Sequence, residues 1–519
     1  VKKITLLSAV IFMGSLVGGS PSFAAEASAQ DVLMARSLYS QGRYYSAARY
    51  AFGGLQGSAA VRDEAYSWIT LSLVQAGLYN SASYFFIKTL ESGNKPAIRR
   101  VLTEAETLLE NVGADVLRKY LVRNTSLDDY NAPNRSALLY ALGKEAVQSG
   151  DESHAISYLS GVSRSSWLWP YALQLQATAY AIQGDGSHAI EAFEDCANNA
   201  AQISEGLDTS SDKYRQSVSE SEDLSARCQA GKARTLYQLN QFDAADQAYD
   251  RIPKASIVWP DILFEQAWNS FARSEYNRSL GKLVSYKSPA LAFVFNPEVD
   301  VLRAQSYLAL CLYSDAGDVI QEFNGKYSPI GEEVKRFVES HANDLPAFYN
   351  LGREALSMPL SSTRDFNPML NRFVRGPYFK GLLQAERSVS VEAQEIRRLD
   401  QQSRDSRGGL AGFLTQVLSW RKKSIKTLGG MFVKNSLLDY HSELISNYEK
   451  MSFINLEMLK RAKDQLIYKR QSAGRRVGSV VPTRRDYQYY WNFNGEFWSD
   501  ELGDYVFGLE SQCHTGGTG

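Results

Sequence analysis

Small turn residues recur along the first 311 residues at a nearly fixed interval. They are Gly42, Gly77, Gly113, Gly150, Gly184, Asn240, Ser274 and Cys311, with successive spacings of 35, 36, 37, 34, 56, 34 and 37. A period near 34 belongs to paired-helix repeats, each unit two helices around one tight turn. One pair cannot bury its apolar face alone, so such a chain must stack its units into an array. A single compact core is excluded, as it also is by the length of 519 residues. Only one interval departs, and the excess of about 22 residues falls on a polar stretch at 198–227. The spacing predicts seven or eight helical pairs over 31–328, the third the least regular, with 198–227 inserted.

Other positions keep the same register. Two residues after the turn stand Tyr44, Tyr79, Phe242, Tyr276 and Tyr313. Five after it stand Ala47, Ala82, Ala155, Ala189, Ala245, Ser279 and Ala316, small enough for two helices to approach closely. Nine after it come Phe86, Leu159, Phe193, Tyr249 and Leu283, large enough to fill the hollows between neighbouring pairs. Pro170, Pro260 and Pro297 share the position fourteen before the turn, where a first helix begins and the missing N–H costs nothing.

This small–turn–aromatic–small–aromatic series resembles the tetratricopeptide repeat (TPR) family over about 31–323. The Gly113 copy departs from the pattern, the Ser274 and Cys311 copies lack the turn glycine, and most copies lack the family's early Trp. The segments 259–323 and 490–513 also resemble envelope TPR proteins of gliding and predatory deltaproteobacteria. The resemblance implies a solenoid whose first helices line a groove for partner proteins. In the Ser274 copy, Asp261, Phe264, Trp268 and Phe271 hold the offsets that would face inward, and aromatics there would anchor a partner. The alternative is that the three rings pack the core.

After Pro329 the period fades. Residues 329–377 read as connecting helices and loops. Across 378–470 the apolar spacing alternates three and four, through Leu382, Ala385, Val389, Ala393, Ile396 and Leu399, then Leu410, Phe413, Val417, Leu437, His441, Leu444 and Tyr448. That spacing predicts a long, coiled-coil-like helical hairpin broken at Gly408-Gly409. The tail, 471–519, carries Trp491, Phe493, Phe497, Trp498, Tyr505 and Phe507, and reads as an irregular or strand-like strap that buries Trp491 and Trp498. The expected fold is therefore all-α: a TPR-like solenoid, a long hairpin and an aromatic C-terminal strap.

Net charge is −1, which supplies no global field toward nucleic acid, but its distribution is uneven. Between residues 364 and 485 there are 24 Lys/Arg against 11 Asp/Glu, whereas residues 25–363 carry 30 against 40. A basic stretch beside an acidic array is either a docking surface for anionic envelope material or a set of solvated helix faces.

Val1-Lys2-Lys3, an apolar run from Ile4 to Val17 and a break at Gly18, Gly19 and Pro21 have the layout of an export signal, 1–24, cleaved between Ala24 and Ala25. The run is short for a membrane span, for which about 20 residues are needed. An initial Val fits a GTG start codon and a bacterial source, and the expected location is periplasmic or secreted. Four cysteines in an oxidising compartment are either buried thiols or disulfides, with Cys196 and Cys228 the candidate pair across the insertion. None has metal-site spacing.

Catalytic signatures are missing: no phosphate loop, no G-x-G-x-x-G, no H-E-x-x-H and no G-x-S-x-G. Ser419-Trp420-Arg421-Lys422 fits S-x-x-K without its companion motifs. His154 and His188 precede the small Ala155 and Ala189 and fall at the start of second helices. The reading is a non-enzymatic, exported interaction scaffold of the bacterial envelope, without cofactor or metal, binding other envelope proteins during envelope or motility-machinery assembly. The rival reading is an envelope enzyme or a glycan- or peptidoglycan-binding protein that uses the basic C-terminal part.

Overall fold

A computed structural model describes residues 21–359, 362, 366–403, 408–468 and 495–513. Most of the expected export signal, together with Trp491 and Phe493, lies outside the described residues; Ala24 and Ala25 fall in the first helix. Among the described residues there is no β-strand, and no helix is long and apolar enough to cross a membrane.

In chain order the helices are α1 (Pro21–Ser40), α2 (Tyr44–Gly53), α3 (Ala59–Gln75), α4 (Tyr79–Glu91), α5 (Lys95–Val101), α6 (Ala105–Val112) and α7 (Ala114–Asn124). There follow α8 (Arg135–Ser149), α9 (Glu152–Ser160), α10 (Trp169–Gln183), α11 (Gly186–Asn199), α12 (Asp212–Gln238), α13 (Phe242–Asp250), α14 (Trp259–Ala272) and α15 (Tyr276–Val284). The last are α16 (Glu298–Ala309), α17 (Tyr313–Ser340), α18 (Leu345–Ser357), α19 (Asn367–Val374), α20 (Pro377–Gln402) and α21 (Leu410–Tyr468). Two compact units result: residues 1–134 with 390–418, and 135–389 with 419–519. Both α20 and α21 contribute a segment to each unit.

All eight turn positions have positive φ. Gly42, Gly77, Gly113, Gly150 and Gly184 have φ between 74° and 98°, and among the described residues the three non-glycine residues with positive φ are Asn240 (57°), Ser274 (62°) and Cys311 (58°). Each ends one helix and starts the next; at all but Gly113, whose ψ is 135°, the left-handed residue lets the following N–H groups satisfy the helix's last carbonyls. Glu275 N thus donates to Ser270 O at 2.9 Å, as Leu78 N does to Leu73 O at 2.8 Å. The seven small residues five beyond the turn are all 0% exposed, and Phe86, Leu159, Phe193, Tyr249 and Leu283 are buried behind them. A ring three before the turn meets one two after it in three copies: Tyr39–Tyr44, Tyr237–Phe242 and Phe271–Tyr276, with centroids 5.4, 5.5 and 5.2 Å apart. Such edge-on pairs staple the two helices of a unit. Asp151 and Asp185 cap α9 and α11, each accepting from the backbone N–H of the histidine three residues on, His154 or His188.

The Gly113 copy is the irregular one. Its helices α6 and α7 are short, Gly113 alone separates them, and Arg118 stands where other copies have a small residue. No helix end falls at the expected 328/329 boundary. α17 runs through Pro329, because Phe323, Tyr327 and Val334 on either side are buried in one core with Phe348, Val433 and Leu437. That packing outweighs the hydrogen bond a mid-helix proline removes. Much of the inserted 198–227 stretch is helix too, since α12 extends back to Asp212 and reaches 27 residues.

The two long helices are present, and their apolar faces close on the repeats. In the first unit Phe413 packs against Phe52, Tyr84 and Phe85 at 5.4–5.7 Å. There too the buried Glu392 carboxylate takes Asn80 N at 2.8 Å, Asn80 Nδ2 at 3.0 Å and Ser81 N at 2.7 Å, capping α4 from outside the repeat. In the second unit Val433, Leu437, Leu444, Met451 and Ile454 enter the core around Phe323 and Phe348. Tyr440 packs against that core too, and the expected seam residue His441 beside it is likewise half-buried.

Candidate partner-binding face

The four groove residues share one face of α14. Pro260 starts this helix, Ser274 ends it, and steps of three and four bring residues 261, 264, 268 and 271 into line. Phe264, Trp268 and Phe271 are half-buried and rest on Ala267, Leu283, Val299 and Leu302. Their rings form an edge-to-face ladder, Phe264–Trp268 at 6.4 Å and Trp268–Phe271 at 5.6 Å, which Phe271 continues to Tyr276. Phe271 therefore belongs to the staple found in other copies. Trp268 is the ring peculiar to this copy: its equivalents are Thr178 in α10 and Arg234 in α12, whereas the Phe264 position holds Gln174 and Ala230 there but a buried ring, Tyr140, in α8.

Asp261 is not presented with them. Its carboxylate is engaged by the Arg372 guanidinium of α19. Burial works against the charge on Arg372, and Asp261 and Tyr440 outweigh it, holding the guanidinium protonated. In the next repeat the equivalent position is Glu298, which takes Lys450 of α21 at 2.7 Å. The acidic repeats and the basic C-terminal stretch thus meet inside the chain. Spacing alone shows each charge but not which element supplies its partner.

Beyond Val299 and Leu283 lies a polar cavity of about 390 Å³, lined among others by Tyr286, Lys287, Asp300, Arg303, Glu322 and Lys326. Arg303 donates to Asp300 at 2.6 Å and to Glu322 at 3.2 Å, and Lys287 reaches Glu322 at 3.1 Å. Burial opposes ionisation of Glu322, but Arg303 and Lys287 prevail and hold its carboxyl below the usual range. The sequence signal for this network was an Asp–Arg pair three apart on a first helix, which sequence reasoning passed over. Among the described residues no cluster of His, Cys, Asp and Glu could hold a metal ion.

Cys196 of α11 and Cys228 of α12 are joined in a disulfide, both 0% exposed and packed with Leu173, Phe193 and Leu224. A second disulfide joins Cys311 to Cys513. The expectation that Trp498 is buried fails, for it is 62% exposed. Phe497 instead takes the apolar slot against Tyr505, whose hydroxyl accepts from Trp498 N at 2.8 Å, and the Trp498 ring is left outside.

No family model matches this chain, and no curated protein matches it. Solved structures similar to it include the TPR domain of P58(IPK), at 13% identity over 77% of this chain and 98% of that one, with a TM-score of 0.19. Yeast Tom70 aligns at 12% identity over 84% and 96%, also with a TM-score of 0.19. A circular tandem repeat protein with novel repeat topology aligns at 13% over 84% and 98%, with a TM-score of 0.17. TM-scores this low decide nothing. The left-handed turns, the buried small residues and the stacked helix pairs of the chain itself make it an all-α, TPR-like array.

Proposed function

We propose that this protein is an exported interaction scaffold of the bacterial cell envelope, which holds a segment of a partner protein against the first helices of its repeats. The observation that carries the reading is the half-exposed ladder at Phe264 and Trp268. Two aromatic rings, of which Trp268 has no aromatic counterpart in the other repeats, stand at a surface, where they form the kind of anchor that dominates protein interfaces. The layout of residues 1–24 supports export. The ion pairs of Arg372 and Lys450 support reading much of the basic stretch as internal bracing. Docking on anionic envelope material would fall to exposed cations such as Lys423 and Lys460.

Trp268→Ala tests the reading. A half-buried anchor should cost a partner at least about 2 kcal/mol of affinity, while the loss of stability stays below the roughly 3–5 kcal/mol of a fully buried aromatic. Denaturation alongside retention of envelope partners measures both. A large stability loss with unchanged retention would return the ladder to the core and reject the groove.

A further inference from the structure

The described part of the tail is a peptide seated in a built groove. From Tyr505 to Cys513 the chain runs extended across α15, and alternate residues point inward. Tyr505 packs by Trp259, Leu263 and Leu291, and Phe507 and Leu509 pack by Leu280, Leu310 and Leu312. The backbone is read by one side chain: Asn277 Oδ1 accepts from Leu509 N at 2.9 Å, and Asn277 Nδ2 donates to Leu509 O at 2.9 Å. Phe507 N adds a bond to Asn277 O at 3.0 Å, and Gln512 N one to Leu310 O at 2.9 Å.

Gly281 shows that the groove is shaped for a backbone. It lies inside α15, where glycine is the poorest choice after proline, and any Cβ there would collide with the Tyr505 carbonyl. Residues 259, 263, 266 and 270 of α14 border this groove, on a different face of that helix from the aromatic ladder. A cavity of about 230 Å³ remains under the strap, with Lys254 reaching Asp500 O at 2.6 Å and Asp504 Oδ2 at 2.9 Å at its rim. The strap ends at Cys513, bonded to Cys311, the left-handed turn residue of the last copy.

We propose that the α15 groove is a second interaction site, separate from the ladder. It takes an extended segment of another protein with large apolar residues at alternate positions, and the strap is the resident occupant, locked by the Cys311–Cys513 disulfide. A dithiol reductant opens the lock: two electrons and two protons pass from it, leaving two cysteine thiols and the reductant as its own disulfide. The incoming segment then forms the main-chain bonds that the strap gives up, as in other additions of an extended peptide. This rests on the scaffold reading only in supposing protein partners.

The test uses the full chain carrying Cys513→Ser, Phe507→Asp and Leu509→Asp, which frees the groove of its own strap, with circular dichroism to check helix content. The probe is a fluorescein-labelled peptide of residues 502–512, followed by anisotropy. Saturable binding is expected, weakened at least about tenfold by Gly281→Val in the chain or by serine at the three inward positions of the peptide. No binding is expected to the oxidised wild-type chain, and Trp268→Ala should leave binding unchanged, so this test and that of the ladder fail separately. On the single variant Cys513→Ser, amide exchange at Phe507, Leu509 and Gln512 should quicken relative to wild type. No saturable binding to the opened chain, equal binding to the Gly281→Val chain or to the oxidised wild type, or unchanged exchange would overturn the proposal. A concentration-dependent dimer of the Cys513→Ser chain would replace the outside partner with a second copy's strap.

Discussion

Replacing Glu392 by Ala removes a carboxylate that caps α4. Asn80 and Ser81 are 3% and 0% exposed, so their backbone N–H groups have no water to turn to when the carboxylate leaves. Each buried donor left without an acceptor costs about 1–3 kcal/mol. Relief from burying a charged group returns part of that, so a net loss of about 3 kcal/mol is expected. The pH dependence gives a second, independent reading. Burial raises the Glu392 carboxyl above its ordinary value, against the pull of the Ser81 and Asn80 donors. The folded chain therefore binds this proton more tightly than the unfolded one does. Stability from this group is greatest below the unfolded pKa of about 4.3 and falls as pH rises through the folded value. The Ala variant lacks that slope, so its penalty should grow on acidification from neutral pH. Urea unfolding at several pH values, with amide exchange in α4, measures both effects. A penalty under about 1 kcal/mol would refute the cap, and one that shrinks on acidification would refute the raised carboxyl.

Ser274→Gly should stabilise the chain by about 1 kcal/mol in urea unfolding, because Ser274 is exposed and holds a left-handed backbone that costs an L-residue roughly that much. Asp129→Asn should destabilise by about 1–2 kcal/mol at pH 7: the 3%-exposed carboxylate takes Lys95 Nζ at 2.5 Å and Ser126 N at 3.0 Å, and Lys95 is itself half exposed, which limits the ion pair. Burial would raise the Asp129 carboxyl, but Lys95 and Ser126 overcome it and hold it below the usual range. Its contribution is thus complete above about pH 3.9 and disappears as pH falls through the lowered value, a loss that Asp129→Asn should not show on acid titration.

The repeat was legible because its determinants are local. A turn residue, a small residue five later and a large one nine later fix one helix pair without reference to the rest of the chain, and Asn240, Ser274 and Cys311 could be placed by register though none is glycine. The face of α14 followed from the same register. What escaped was set by distant partners. Nothing within ten residues of Asp261 indicates Arg372, and nothing beside Pro329 says that Phe323, Tyr327 and Val334 will be buried well enough to carry a helix through it. The apolar spacing of α20 and α21 showed two long helices, but an apolar face does not name what covers it, and here the repeats do. Gly281 carried a signal that could have been noticed, a glycine inside a strong helical register, which points to a backbone passing close by.

The central claim is that Phe264 and Trp268 form a face that meets another protein. A photo-cross-linking residue placed at Phe264 in the full chain tests it most directly, with the same residue at Ile182, an exposed site on α10, as the control. The account predicts a discrete adduct with a partner protein from position 264, absent from position 182 and lost when Trp268→Ala is added. No adduct from position 264, or the same adduct from both positions whether or not Trp268 is present, would contradict it.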